Sequence, residues 1–115
     1  MRKRLLSMQK TRFLDKNKTV LSLKRIAEKI RSSQPDVKKI VLFGSLTRGN
    51  YTGSSDADIL ILLEKSEKRF LDRIPEFLLL FADAPIATDV FPYTTEEACV
   101  NGFAQRALRD GLVLA

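Results

Sequence analysis

Asp56 and Asp58 stand two residues apart in segment 56–63, which is otherwise rich in Ile and Leu, and Asp89 sits inside a second apolar segment, 86–91. On a strand, a spacing of two puts both side chains on one face, with Ala57 and Ile59 on the other. Carboxylates on segments that read as buried strands are costly unless cations match them. The chain has no histidine, so hard divalent ions are the natural match. Mg2+ prefers oxygen ligands and keeps positions open for water and substrate phosphates. Two such ions about 3.5–4 Å apart can stabilise both the attacking and the leaving oxygen of a phosphoryl-type displacement. Upstream, Gly44-Ser45 closes an apolar run. A glycine lets backbone approach a phosphate, and a serine opening a helical turn adds a hydroxyl beside outward-pointing N–H groups. Arg48 offers a fixed cation for a phosphate, and Gly49 permits the turn after it. Each piece alone has an ordinary structural use: a turn, an exposed strand face, a surface ion pair. The combination has none and points to nucleotide chemistry, with Gly44, Ser45 and Arg48 holding phosphate and Asp56, Asp58 and Asp89 holding metal.

The elements that must position these residues follow from periodicity and breakers. Thr19 reads as an N-cap, and Val20, Leu23, Ile26, Ala27 and Ile30 recur at helical spacing, so a helix is expected over residues 19–31. Ser32 to Pro35 break it, and residues 39–43 read as a central strand. After a polar loop, residues 56–63 form a second strand. Ser66 opens a helical stretch, with Pro75 forcing a kink or restart near Ile74. Residues 86–91 form a third strand. Thr94 and Glu97 have capping-box spacing, Asn101-Gly102 interrupts the helix they start, and a last helix over residues 103–110 ends at Gly111. Residues 112–114 can add an edge strand. The fold class is α/β (α+β): a small mixed sheet flanked by helices. The division is a basic N-terminal extension, 1–18, and one domain, 19–115.

Composition excludes much else. A length of 115 residues with 44% apolar content suits one core without cross-links. One cysteine, Cys99, rules out an intramolecular disulfide and thiolate-rich zinc; it is expected to be a small core residue. Without histidine there is no Ser-His-Asp triad or Cys-His dyad. The apolar stretch near the start is too short for a secretory signal, and no run reaches the ~20 residues of a membrane span, so a cytoplasmic protein is expected. Residues 1–50 carry 14 Lys or Arg against 3 Asp or Glu, and residues 51–115 carry 6 against 11. The basic half reads first as a solvated helix face and tail; nucleic acid is a weaker alternative.

Gly44-Ser45, a ten-residue gap and Asp56-Ala57-Asp58 resemble the signature of the DNA polymerase beta-like nucleotidyltransferase superfamily. The segment VLFGSLTRGNYTGSSDADILILLE is similar to its minimal nucleotidyltransferase branch, and the resemblance covers about residues 20–115. It implies Gly44 and Ser45 on nucleotide phosphate, Asp56 and Asp58 on two Mg2+ ions, and Asp89 on the catalytic metal, helping to activate an attacking hydroxyl. Ala57 replaces a bulkier aliphatic residue, on the face away from metal. The implied activity is AMP transfer from ATP to a hydroxyl acceptor. Minimal members are commonly found beside a small helical HEPN toxin and modify one of its tyrosines, acting as antitoxin. A chain of this length is expected to take its acceptor platform from that partner or from self-association with a second copy. It cannot itself be the HEPN protein, whose RNase motif needs a histidine. Two other readings stand beside this one: a non-catalytic antitoxin that masks its partner, and an RNA-binding protein acting through its basic N-terminus.

Overall fold

The computed structural model describes residues 16–44, 46–47 and 56–115. Its elements in chain order are α1 (Lys16–Ser33), β1 (Val37–Phe43), β2 (Ala57–Leu63), α2 (Phe70–Leu80), β3 (Thr88–Thr94), α3 (Thr95–Cys99), α4 (Gly102–Asp110) and β4 (Leu112–Val113). The four strands make one mixed sheet in the order β3-β2-β1-β4. β1 is antiparallel to both β2 and β4, and β2 is parallel to β3. A parallel neighbour needs a long crossover, and the segment containing α2 supplies it.

Strand alternation divides the core in two. Ile40, Leu42, Ala57, Ile59, Ile61 and Val90 face one side, where they pack against Leu23, Ala27 and Ile30 of α1 and Phe77 of α2. Val41 and Leu60 face the other side, against Ala98 of α3 and Ala104 and Ala107 of α4. The small alanines let α4 lie close to the sheet. Each fully buried Leu or Ile contributes about 1.5–3 kcal/mol of apolar burial, and both ends of β2 are thereby held to one register.

The expected fold class and element order are those observed, with shifts at the ends. α1 starts at Lys16 rather than at Thr19. Thr19 is not an exposed cap: it is buried on the apolar face one turn before Leu23. The expected extension therefore overlaps the helix at residues 16–18, and residues 1–15 lie outside the described residues. The Ser66 hydroxyl caps only a local turn, accepting from Lys68 N–H at 3.1 Å, and α2 begins later and runs through Pro75 as one helix. The N–H that Pro75 lacks would have bonded the carbonyl of Leu71, an exposed residue that water can serve. β3 lies two or three residues later than expected. Cys99 is exposed at the end of α3 rather than in the core, because Ala98 takes the inward position on that short helix. Leu112 and Val113 form the anticipated edge strand. Among the described residues no helix is long and apolar enough to cross a membrane.

A buried arginine ties the crossover to the sheet. Arg73 on α2, only 3% exposed, donates to the carbonyls of Lys68 and Pro92 at 2.9 Å each. Its two terminal nitrogens reach the two carboxylate oxygens of Glu97 at 2.7 and 3.0 Å. Glu97 also completes the capping box of α3, accepting from Thr94 N–H at 3.0 Å while Glu97 N–H donates to the Thr94 hydroxyl at 3.2 Å. Hydrogen bonds from Arg73, helped by the Thr94 N–H, hold the Glu97 carboxyl down to about 2 against the opposing effect of burial. A depressed carboxylate stabilises the fold above its unfolded value near 4.5 and loses that contribution as pH falls towards 2. Glu97→Gln leaves Arg73 without its counter-charge and costs about 2–3 kcal/mol at pH 7. Urea denaturation of both proteins checks this, and the difference should shrink steadily below pH 4.

Candidate active site

The parallel register of β2 and β3 decides where the carboxylates meet. Asp58 is the direct neighbour of Asp89, as Ile59 is of Val90 and Leu60 of Phe91. Neighbouring strands lie about 4.8 Å apart and in-register side chains share a face, so Asp58 and Asp89 stand side by side. They share the face of Leu60 and Phe91, covered further along by α4. On the other side of Asp58 its partner is Phe43 of β1. Phe43, Phe91 and Phe103 close around one another with ring centroids 5.2–5.6 Å apart, an apolar floor beneath the carboxylates.

Gly44 ends β1 with φ of 88°, a left-handed conformation that costs other residues about 1–2 kcal/mol. A Cβ there would run into the Asp58 carboxylate and lie 3.3 Å from its Cγ. Only glycine lets the backbone pass this close to that side chain. The chain then turns: Thr47 donates to the Gly44 carbonyl through its N–H at 3.1 Å and its hydroxyl at 2.7 Å, while Leu46 is fully buried and anchors the turn. Phe43, Gly44, Thr47 and Asp58 line a cleft of about 430 Å3, completed by Phe103, Arg106, Ala107 and Asp110 of α4.

Of the residues singled out in the sequence, the structure brings together Gly44, Asp58 and Asp89. Asp56 precedes β2 and is exposed. Ser45 and Arg48, with Gly49, lie outside the described residues. The carboxylates are not buried as the apolar run around them suggests: Asp58 is half-buried and Asp89 exposed, because both occupy the first two positions of their strands, at the mouth of the sheet. Among the described residues no group of three or more Asp, Glu, Cys or His side chains stands close enough to hold a metal ion unaided. The α4 wall went unread in the sequence. Its signal was there: 103, 106, 107 and 110 fall on one helical face, but that face mixes aromatic, cation, alanine and acid, which reads as an ordinary surface.

The family model described as "Nucleotidyltransferase domain" matches residues 23–107, which spans β1, the turn after it, β2, β3 and most of α4. The chain belongs to the nucleotidyltransferase domain family. A Methanocaldococcus jannaschii protein named "putative protein adenylyltransferase" is 44% identical over 45 residues, which is 39% of this chain and 45% of that relative. The matched stretch thus takes in less than half the relative's length. A Sulfolobus solfataricus crystal structure, described as that of a "putative nucleotidyltransferase", superposes with a TM-score of 0.65 over 93% of this chain and 85% of its own, at 23% identity. The two share the fold. The family's chemistry is nucleotidyl transfer.

Two variants test this geometry. Gly44→Ala must strain the backbone and displace the Asp58 carboxylate, and is expected to cost about 1–3 kcal/mol of stability in urea titrations. Like charges on adjacent strands are destabilising, so Asp89→Asn should stabilise the metal-free protein by about 0.5 kcal/mol, read as a small rise in Tm.

Proposed function

We propose that this nucleotidyltransferase domain transfers AMP from ATP to a hydroxyl of a protein acceptor. The observation that carries the reading is the Asp58–Asp89 pair: two carboxylates in direct register on parallel strands, beside a glycine whose missing side chain leaves room for one of them. Side-by-side carboxylates weaken a sheet, and a cation with its ligands offsets that repulsion. Mg2+ is ordinarily held by one or two carboxylates together with substrate phosphates and water. The pair fits that role without a third protein ligand, and the donors are all oxygen, as a hard ion requires. Asp58 and Asp89 would hold Mg2+, with Asp56 two residues upstream joining them for a second ion. Bound there, the metal would neutralise charge on the phosphates and on the leaving pyrophosphate.

The rest falls to the chain's own residues. Gly44 and Ser45 cradle the triphosphate, with Arg48 as a further phosphate cation, in line with the Gly-Ser signature. Asp89, exposed at the start of β3, accepts the proton of the acceptor hydroxyl. The hydroxyl oxygen bonds to the α-phosphorus, the bond to the bridging oxygen breaks, and pyrophosphate leaves. The name of the M. jannaschii relative supports a protein acceptor. The resemblance to minimal nucleotidyltransferases supports a HEPN toxin tyrosine as that acceptor and an antitoxin role in the cytoplasm.

The test is incubation of the protein with Mg2+ and α-labelled ATP, with and without a HEPN-type neighbour protein. Label is expected on the neighbour, and Asp58→Asn should lower transfer by about 10³-fold or more, the loss of several kcal/mol of transition-state stabilisation. Undiminished transfer by the variant, or neutralisation of the toxin without any label, contradicts the proposal.

A further inference from the structure

The cleft beside Asp58 has two walls of different origin. One is Phe43, Gly44, Thr47 and Asp58; the other is the face of α4 formed by Phe103, Arg106, Ala107 and Asp110. Its volume, about 430 Å3, lies within the range of small-ligand sites. Among the described residues, the side chains lining it include two carboxylates, Asp58 and Asp110, and one cation, Arg106. Asp110 is matched by its neighbour Arg109, which donates to its two oxygens at 3.0 and 3.3 Å. Arg109 is thereby occupied. Arg106 is exposed, forms no ion pair among the described residues, and lies back along α4, its Nη1 3.6 Å from where a Gly102 Cβ would be. Its charge is felt by Asp110 one turn along, and its side chain lines the cleft opposite the Gly44 turn.

Resting on the nucleotidyltransferase reading above, we propose that Arg106 is a nucleotide-binding residue, its guanidinium taking a phosphate oxygen of the nucleoside triphosphate from the α4 side. A triphosphate entering beside two aspartates meets repulsion that a bound metal offsets only in part. A guanidinium supplies charge and a planar fork matched to phosphate. The opposing groups have different tasks: the Gly44 turn offers backbone, and Asp58 offers a metal ligand. The α4 wall gives the cation. It stands on a helix locked to the sheet by Ala104 and Ala107, so its position does not depend on the loop after Gly44.

The experiment is calorimetric titration of the full chain with ATP and with AMP, each with Mg2+. The proteins are wild type, Arg106→Ala, Arg106→Lys, Asp58→Asn and Arg69→Ala, the last removing the same charge from outside the cleft. A charge-assisted contact predicts that Arg106→Ala weakens ATP binding by about 10- to 100-fold. AMP should weaken much less, Arg106→Lys should recover part of the loss, and Arg69→Ala should match wild type. Unchanged Tm in Arg106→Ala separates the effect from misfolding. ATP binding by Arg106→Ala at wild-type strength, while Asp58→Asn loses it, overturns the role of Arg106 and leaves the nucleotide site standing. Failure of the wild type to bind ATP overturns both.

Discussion

The parallel pairing of β2 with β3 is the constraint on which the site depends. Because side chains alternate along a strand, a slip of one residue would send Asp58 into the core beside Leu23 and Ile40 and turn Ile59 towards water. The alternation Ala57, Ile59, Ile61 against Asp58, Leu60, Leu62 makes such a slip prohibitive, since the first set is packed under α1 and Leu60 under α4. Hydrophobic burial thus sets the position of a polar pair that contributes nothing to the core. The aspartates lie at the start of their strands, where the sheet ends and water begins. They can meet a highly charged ligand there without the penalty of full burial.

The crossover that makes the pairing parallel is held at its far end by Arg73. One guanidinium on α2 binds the turn before that helix through the Lys68 carbonyl, β3 through the Pro92 carbonyl and α3 through Glu97. A buried ion pair is weak grounds for stability by itself, but this one is bidentate, and Nε and Nη1 also reach backbone carbonyls. Its consequence is positional: β3 cannot shift along β2 without breaking the Pro92 contact, and Asp89 is three residues away on that strand. At the other edge, Gly111 permits α4 to run into β4 against β1. A Cβ there would lie 2.9 Å from the Leu42 carbonyl and press on Val41, so the α4 wall of the cleft depends on that glycine.

Much of this was legible in the sequence, and the failures have physical causes. Gly44, Asp58 and Asp89 were readable because each breaks a local rule: a glycine at a strand end and acids in aliphatic runs. The capping box at Thr94 and Glu97 was readable because it is local. The acids are less buried than their aliphatic surroundings imply, because an apolar run tells what a strand packs against and not where the sheet stops. Cys99 is not distinguishable from Ala98 as the inward residue in the sequence, because a five-residue helix offers too little periodicity. Thr19 read as a cap because Ser and Thr favour that position, yet the turn before it is helical and the hydroxyl is buried. Arg73 and Arg106 are ordinary basic residues on helices in the sequence. Only the return of β3 and α3 to Arg73 gives it partners, and only the return of the Gly44 turn to α4 sets Arg106 on a cleft; both join distant segments.

The most direct test of the central claim is a crystal structure of the chain grown with a non-hydrolysable ATP analogue and Mn2+, read in anomalous difference maps. The account predicts a manganese peak within inner-sphere distance of carboxylate oxygens from both Asp58 and Asp89, with analogue phosphate beside Gly44. A well-ordered analogue whose metal touches neither aspartate would contradict it.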